Sequence, residues 1–444
     1  MSGVWLCLRV VLMAAGLMGT AVSAAAQGSA PPVTALRAAR LIVGDGTTVD
    51  DPVIVVRGDR VVAVGPRATT SIPPGARIID LPGHTLLPGF IDAHVHLTSG
   101  DNDGGDMAVL RETAAHAGIY GVANARKTLD AGFTTVRDAG ANYYAEVALR
   151  ELIAKRVVPG PRIFASGPAL GITGGHADVN GWSPTLMIPG TGIIVDGPDE
   201  VRKAVRTNVK YGADQVKIVA TGGILSVGDA ATASQFEDIE LRTAVEEATR
   251  LGRKVMAHAH GADGLKAAIR AGVASIEHGS LIDDEGIALA KEKGTVIVPT
   301  LLILDEIVKR GAERGVPPYA IAKGRQVEPE RRRRLRAAYA AGVKFALGTD
   351  ATGDLHGRNG EEFQLMAEQL GAPPMEVIRM GTQYAAQLIG SEEIGVVATG
   401  HFADLVAVQG DPLRDLRVLA KPAFVMKGGA VVKSAALERS STTR

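Results

Sequence analysis

Between residues 85 and 394 the chain alternates short apolar runs with amphipathic stretches eight times, and few folds accept that pattern. The apolar runs fall at 85–96, 134–138, 162–166, 215–220, 254–258, 275–278, 295–299 and 344–349. Helical periodicity follows at 115–130, 144–155, 198–211, 236–251, 262–271, 284–293, 329–341 and 361–370. A strand that is apolar at successive positions is buried on both faces, which calls for a layer of helices outside the sheet. Strands separated by helices pair in parallel, and eight such units over about 300 residues predict an α/β fold of the (β/α)8 TIM-barrel type with loop insertions.

Both ends of the chain read differently. Short β-rich runs punctuated by turn signals such as Gly44-Asp45-Gly46 and Gly58-Asp59 fill residues 33–84, and the same style returns over 395–437 with Gly428-Gly429 as a turn. These two stretches predict a small composite β-sandwich domain flanking a barrel at 85–394. Residues 1–26 combine one arginine, a short apolar core and small residues, the pattern of a secretory signal peptide, with cleavage expected after Ala24 or Ala26. A secreted or periplasmic protein with no membrane association after cleavage is therefore expected. The single cysteine, Cys7, falls inside that leader, so the mature chain has no disulfide and must rely on a large core. With 48 basic and 48 acidic residues the net charge is zero, which gives no electrostatic basis for binding nucleic acid or an anionic membrane. The one basic block, Arg331–Arg334, is expected on a solvated helix face or at a subunit contact, with an anion site as the alternative.

Chemistry on a barrel sits at the C-terminal ends of its strands. Seven of the ten histidines fall at or just beyond such ends: His94, His96, His176, His258, His260, His278 and His356. His94 and His96 are two apart at the end of the first run, so both imidazoles enter the barrel from one face. Lys217 lies in the apolar fourth run, where alternation sends Val216 and Ile218 toward the helices and the lysine inward. An ammonium there must be neutralised, paired or modified. Carboxylation by CO2 would make it an anionic carbamate able to bridge two cations; a salt bridge to Asp350 is the structural alternative. His258 and His278 end the fifth and sixth runs, and Asp350 follows the eighth, where it can bind metal and accept a proton or simply cap a helix. Four imidazoles, one carboxylate and one potential carbamate suit Zn2+ or a similar divalent ion.

The chain resembles the amidohydrolase superfamily, in its binuclear branch with a carboxylated lysine on the fourth strand. The segment 87–96, reading Leu-Pro-Gly-Phe-Ile-Asp-Ala-His-Val-His, resembles the superfamily opening; Gly348-Thr349-Asp350 resembles its close, and 400–406 the return to the sheet domain. Lys217-Ile218-Val219-Ala220-Thr221-Gly222-Gly223 and His258-Ala259-His260-Gly261 look like the group of Xaa-Pro and Xaa-Lys/Arg dipeptidases and N-acyl amino acid carboxypeptidases, which ochratoxin-hydrolysing amidohydrolases also resemble.

That resemblance implies two divalent ions, Zn2+ first among them. His94, His96 and Asp350 would hold the buried ion, His258 and His278 the outer one, and the carbamate of Lys217 with a hydroxide would bridge them. Asp350 would pass the proton to the leaving amine. His176 is a candidate donor to the substrate, as a catalytic or binding group; its alternative is a loop-stabilising role. His260 is a candidate for the substrate's free carboxylate, and His356 is a further substrate-binding candidate with a structural alternative. The expected partner is a small amide or dipeptide, and the resemblance implies a homo-oligomer. Loops 99–116, 222–235 and 304–327 are long enough to roof the site, with Asp229, Glu237, Asp305 and Glu306 as acids in or beside them. Competing readings are a cyclic-amide hydrolase or deaminase resembling imidazolonepropionase, which Lys217 disfavours, and a metal-free non-catalytic barrel.

Overall fold

Two β-rich ends and an alternating middle build two units. The structure, a computed structural model, describes residues 31–100, 108–186, 188 and 190–434; the leader expected at 1–26 lies outside the described residues. β1 (Val33–Ile42), β2 (Thr48–Asp50), β3 (Pro52–Arg57), β4 (Arg60–Pro66) and β5 (Arg77–Pro88) begin the sheet unit. The barrel follows with β6 (Phe90–Val95), β7 (Phe133–Asp138), β8 (Arg162–Phe164), β9 (Leu170–Gly171), β10 (Ile193–Ile194), β11 (Gln215–Val219), β12 (Lys254–Ala259), β13 (Ser275–His278) and β14 (Val296–Val298). β15 (Leu405–Gln409), β16 (Phe424–Lys427) and β17 (Ala430–Ser434) then return to the sheet.

All the terminal strands join one eight-stranded sheet in the order β17-β16-β15-β5-β1-β3-β4, with β2 on β1. β15 pairs with β5, which is how the C-terminus completes a sheet the N-terminus began. The sheet curls so that the β16–β17 turn touches the β3–β4 turn: a Cβ on Gly429 would stand 1.9 Å from the Gly58 carbonyl oxygen. Leu36, Ile54, Leu81, Leu405 and Phe424 share the core it encloses.

In the barrel, β6, β7 and β8 pair in parallel, as do β11 to β14. The Asp214 and Gln215 N–H groups donate to the Ala165 carbonyl and join β8 to β11. The eighth position is filled by residues 344–351, which make single bridges rather than a ladder: Ile297 to Phe345 on one side and Val95 to Ala351 on the other. Ala93 N–H donates to Leu347 O and Ala346 N–H to Ile297 O, so this segment closes the ring between β14 and β6. Among the described residues no helix is long and apolar enough to cross a membrane.

Three expectations need correction. The run 85–96 is two strands, because β5 ends in the sheet unit and the chain turns into the barrel at Gly89, where a Cβ would stand 2.1 Å from Thr134 Oγ1. The expected loop 304–327 is mostly helical: Leu301–Arg310 and Pro318–Ala340 are helices, and the second runs straight through Pro329. Proline in a helix interior costs about 3 kcal/mol, but Ala320, Gly324, Val327, Arg331, Leu335 and Ala338 form one continuous buried stripe that holds the helix together across it. Finally, Arg331 does not belong to a solvated face. It is 1% exposed and pairs with Asp305 at 2.9 Å, while Arg332 and Arg333 stay outside.

Candidate functional site

Four strands and the closing segment bring six of the predicted residues together at one end of the barrel. His94 and His96, on and just beyond β6, face Asp350, with their Nε2 atoms 3.5 and 3.2 Å from Asp350 Oδ1. His96 Nδ1–H donates to the Gly140 carbonyl at 2.8 Å, which aims Nε2 at the centre. Burial works to raise the Asp350 pKa, yet the His94 and His96 imidazoles and Lys217 hold it down at about 2.

Opposite them stand His258, His260 and His278. Their ring centroids lie 4.6–4.8 Å apart, and His278 is 5.3 Å from the His94 ring. His258 Nε2–H donates to the Gly222 carbonyl at 3.2 Å, leaving Nδ1 for a ligand. His260 Nδ1 is spent on Ser280 Oγ and His278 Nδ1 on Thr300 Oγ1, leaving their Nε2 atoms. His260, expected only to touch substrate, therefore converges with His258 and His278 as a third donor. Burial, and then crowding by the neighbouring imidazoles and by Lys217 or Arg331, hold all three far below their usual pKa, so they are neutral and carry lone pairs.

Lys217 lies between the two groups, with Val216 and Ile218 packed into the outer core as alternation required. Burial lowers its pKa, with Glu277 and Asp350 opposing. Among the described residues no carboxylate reaches it within ion-pair distance, so the salt bridge to Asp350 does not form.

These atoms fit divalent ions. His94 Nε2 is buried without a hydrogen-bond partner, an expensive state for a polar atom in a low-dielectric interior. In each of two groups, His94/His96/Asp350 and His258/His260/His278, the donor atoms lie within 4.8 Å of one another. Imidazole nitrogens and a carboxylate converging in this way are a ligand set.

His176 reaches the same place, its ring 4.6 Å from His258. Its N–H donates to Gln235 Oε1, and its buried Nδ1 has no partner. The ring lies flat on Gly223, where a Cβ would stand 2.2 Å from it. His356 is not in the cavity: Nδ1 meets Thr128 Oγ1 at 2.9 Å and Nε2 meets the His96 carbonyl at 3.3 Å. Both ring nitrogens are spent on protein, so His356 braces the end of β6 and leaves nothing for substrate.

Sequence reasoning passed over the residues behind the ligands. Glu277 Oε2 accepts from His94 Nδ1–H at 2.7 Å, while its other oxygen takes Arg137 (2.7 Å) and the Ser275 hydroxyl (2.5 Å). The inward parity that identified Lys217 would have found both charged residues, since Arg137 and Glu277 also sit within barrel strands. In a regular strand, residues 277 and 278 point to opposite faces. His278 escapes that rule by adopting φ 71, so both side chains reach the interior; Thr300 (φ 47) and Asp350 (φ 56) are held the same way. Each costs on the order of 1–3 kcal/mol, strain that clusters at functional sites.

A parallel barrel whose strand ends carry two histidine-rich donor groups defines a hydrolase of the metal-dependent type. Residues 85–432 match the amidohydrolase family, and the chain belongs to it as a hydrolase acting on amide bonds. The ochratoxinase of Aspergillus niger is 33% identical over 426 residues, 90% of this chain and 87% of that protein. Among solved structures, a Xaa-Pro dipeptidase with methionine bound in its active site is 37% identical with a TM-score of 0.84, covering 90% of this chain and 99% of that one. A prolidase complexed with N-methylphosphonate-L-proline is 36% identical with a TM-score of 0.84, covering 90% and 100%.

Proposed function

We propose that this enzyme hydrolyses the amide bond of dipeptides or N-acyl amino acids, substrates that end in a free carboxylate. The observation that carries the reading is the pair of converging donor groups with Lys217 between them. In this reading His94, His96 and Asp350 would hold one divalent ion, His258 and His278 with His260 beside them a second, and Lys217, as a carbamate, would supply a further anionic ligand. Zn2+ suits the nitrogen-rich set best. When bound, such ions polarise the scissile carbonyl and acidify water.

The protein's own groups do the rest. Asp350 is ionised at neutral pH, so its Oδ1 accepts the proton of the attacking water and returns it to the leaving nitrogen as the C–N bond breaks. His176 donates to the substrate from a ring packed on Gly223, while Gln235 Oε1 accepts from its backbone N–H. The acids near the site are already engaged: Asp229 with Lys323, Asp305 with Arg331 and Lys309, Glu306 with Arg310 and Arg358. Glu237 opens the helix Asp238–Arg250. Among the described residues, Asp229, Asp305 and Glu306 are therefore not free to pair with a basic substrate, which favours a neutral C-terminal residue such as proline or phenylalanine, the latter as in ochratoxin.

Hydrolysis of a panel of dipeptides and N-acyl amino acids tests this, read as release of the C-terminal amino acid alongside metal content. About two ions per chain and release of proline or phenylalanine ahead of lysine are expected. Turnover confined to lactams or esters, or protein without metal, sinks the reading. Gly223→Ala is expected to push the His176 ring aside and lower kcat/KM about 10²-fold, since a displacement of roughly 1 Å costs that much. Unchanged kinetics would remove His176 from the mechanism. Export after cleavage of 1–26, with assembly into a homo-oligomer, belongs to the same proposal; N-terminal sequencing and solution mass of the secreted protein check it.

A further inference from the structure

Two of the residues assigned above to metal, His278 and Asp350, occupy left-handed backbone that a non-glycine side chain enters only when its surroundings compel it. The constraint on each can be traced outward, and both traces end on the same turn.

From His278 the path runs through Thr300, whose Oγ1 lies 2.6 Å from His278 Nδ1. Thr300 is itself left-handed and opens the helix Leu301–Arg310. The first two N–H groups of that helix, on Leu301 and Leu302, each donate at 2.8 Å to Glu362, one to each carboxylate oxygen. Glu362 is 0% exposed. A buried carboxylate without hydrogen bonds is costly, and the N–H groups of a first helical turn have no partners within the helix. Each therefore satisfies the other, and the turn that carries Thr300 is clamped. From Asp350 the path runs through Thr349, whose hydroxyl and N–H donate to Asp92 at 2.6 and 3.1 Å. Asp92 also accepts from the His94 N–H at 3.1 Å and from Asn359 Nδ2 at 2.8 Å. Asn359 and Glu362 stand three residues apart, on either side of Gly360, which packs so closely on Ala420 that a Cβ would lie 2.6 Å from its Cα.

We propose that the turn 359–362 is a positioning element for both metal-binding groups, Glu362 setting His278 through the helix end and Thr300, and Asn359 setting Asp350 through Asp92 and Thr349. Neither residue touches substrate. The inference rests on the two-ion reading above. It predicts that damage at one end of the turn reaches one ion and spares the other.

The test uses the full enzyme loaded with Zn2+ and challenged with a chelator. Glu362→Gln presents an NH2 group to one of the two N–H donors, so only one of the bonds survives. One ion is then expected to bind about 10–100-fold more weakly while the other is unchanged, with kcat falling and KM little altered. Thr300→Ala should weaken the same ion, and the double variant should be no worse than the more affected single one, because both act along one path. Phe363→Leu serves as the packing control, since Phe363 stacks edge-on against Phe90 at 5.0 Å in the barrel core; it should lower Tm and leave both affinities alone. Glu362→Gln that keeps both ions, that loses metal only as far as Phe363→Leu does at equal Tm, or that adds to Thr300→Ala overturns the inference alone. Wild-type protein that binds fewer than two ions overturns the functional reading, and this inference with it.

Discussion

Lys217→Ala is expected to give folded protein that retains less than one divalent ion per chain and turns over on the order of 10³-fold more slowly or worse. The Lewis-acid help lost is several kcal/mol, and each ~1.4 kcal/mol is tenfold in rate. The side chain is 4% exposed with no carboxylate at ion-pair distance among the described residues. Burial lowers its pKa and Arg137 adds to the effect, so the neutral amine that reacts with CO2 is favoured, although Glu277 and Asp350 pull the other way. A carbamate would turn this buried amine into an anion facing the imidazole donors. Two measurements separate this from a lysine that only fills space. Metal-stripped wild-type enzyme should take up two Zn2+ ions only with bicarbonate present, and short carboxylate ions should partly rescue the alanine variant by entering the space it leaves. Full metal content and activity in Lys217→Ala would show the carbamate proposal to be wrong.

Glu277→Ala should cost about 3–5 kcal/mol of stability, because it leaves the Arg137 guanidinium buried without its counter-charge. The side chains are 0% and 3% exposed, so solvent cannot compensate. Burial tends to raise the Glu277 carboxyl, but Arg137 and the His94 hydrogen bond outweigh it and hold it at about 2, so the pair is ionic. The same substitution frees His94 Nδ1 and with it the orientation of Nε2, which should weaken metal binding about 10–100-fold. Urea unfolding and chelator competition read the two effects separately. Glu277→Gln keeps the volume and an acceptor, and is expected to lose less of both. A Glu277→Ala variant that unfolds at the wild-type urea concentration and keeps its metal would show that Glu277 does not orient His94.

Much of this site could be read along the chain. His94 and His96, Lys217, His258, His278 and Asp350 stand out because period-two alternation and the end of an apolar run are local signals, visible within five or six residues. Glu277 and Arg137 obey the same parity and were legible in principle. His356 was misleading, since proximity to a strand end says nothing about whether both ring nitrogens are already bonded, here to Thr128 and the His96 carbonyl. Asn359 and Glu362 carry no local signal; their partners Asp92, Leu301 and Leu302 lie far away in the chain. Arg331 sits in a basic run that composition reads as solvated, and only the packing of the helix Pro318–Ala340 against Asp305 and Gln369 buries it.

The amino-acid sequence by itself determined the barrel, the composite sheet and the ligand types, because those follow from hydrophobic period and chemical identity, which are properties of short segments. Tertiary structure decided where the first barrel strand begins, that a helix survives Pro329, that His260 converges with His258 and His278, and which residues hold His278 and Asp350 in strained backbone. Those outcomes depend on long-range packing and on buried polar groups finding distant partners, energies that exist only after the ring between β14 and β6 has closed.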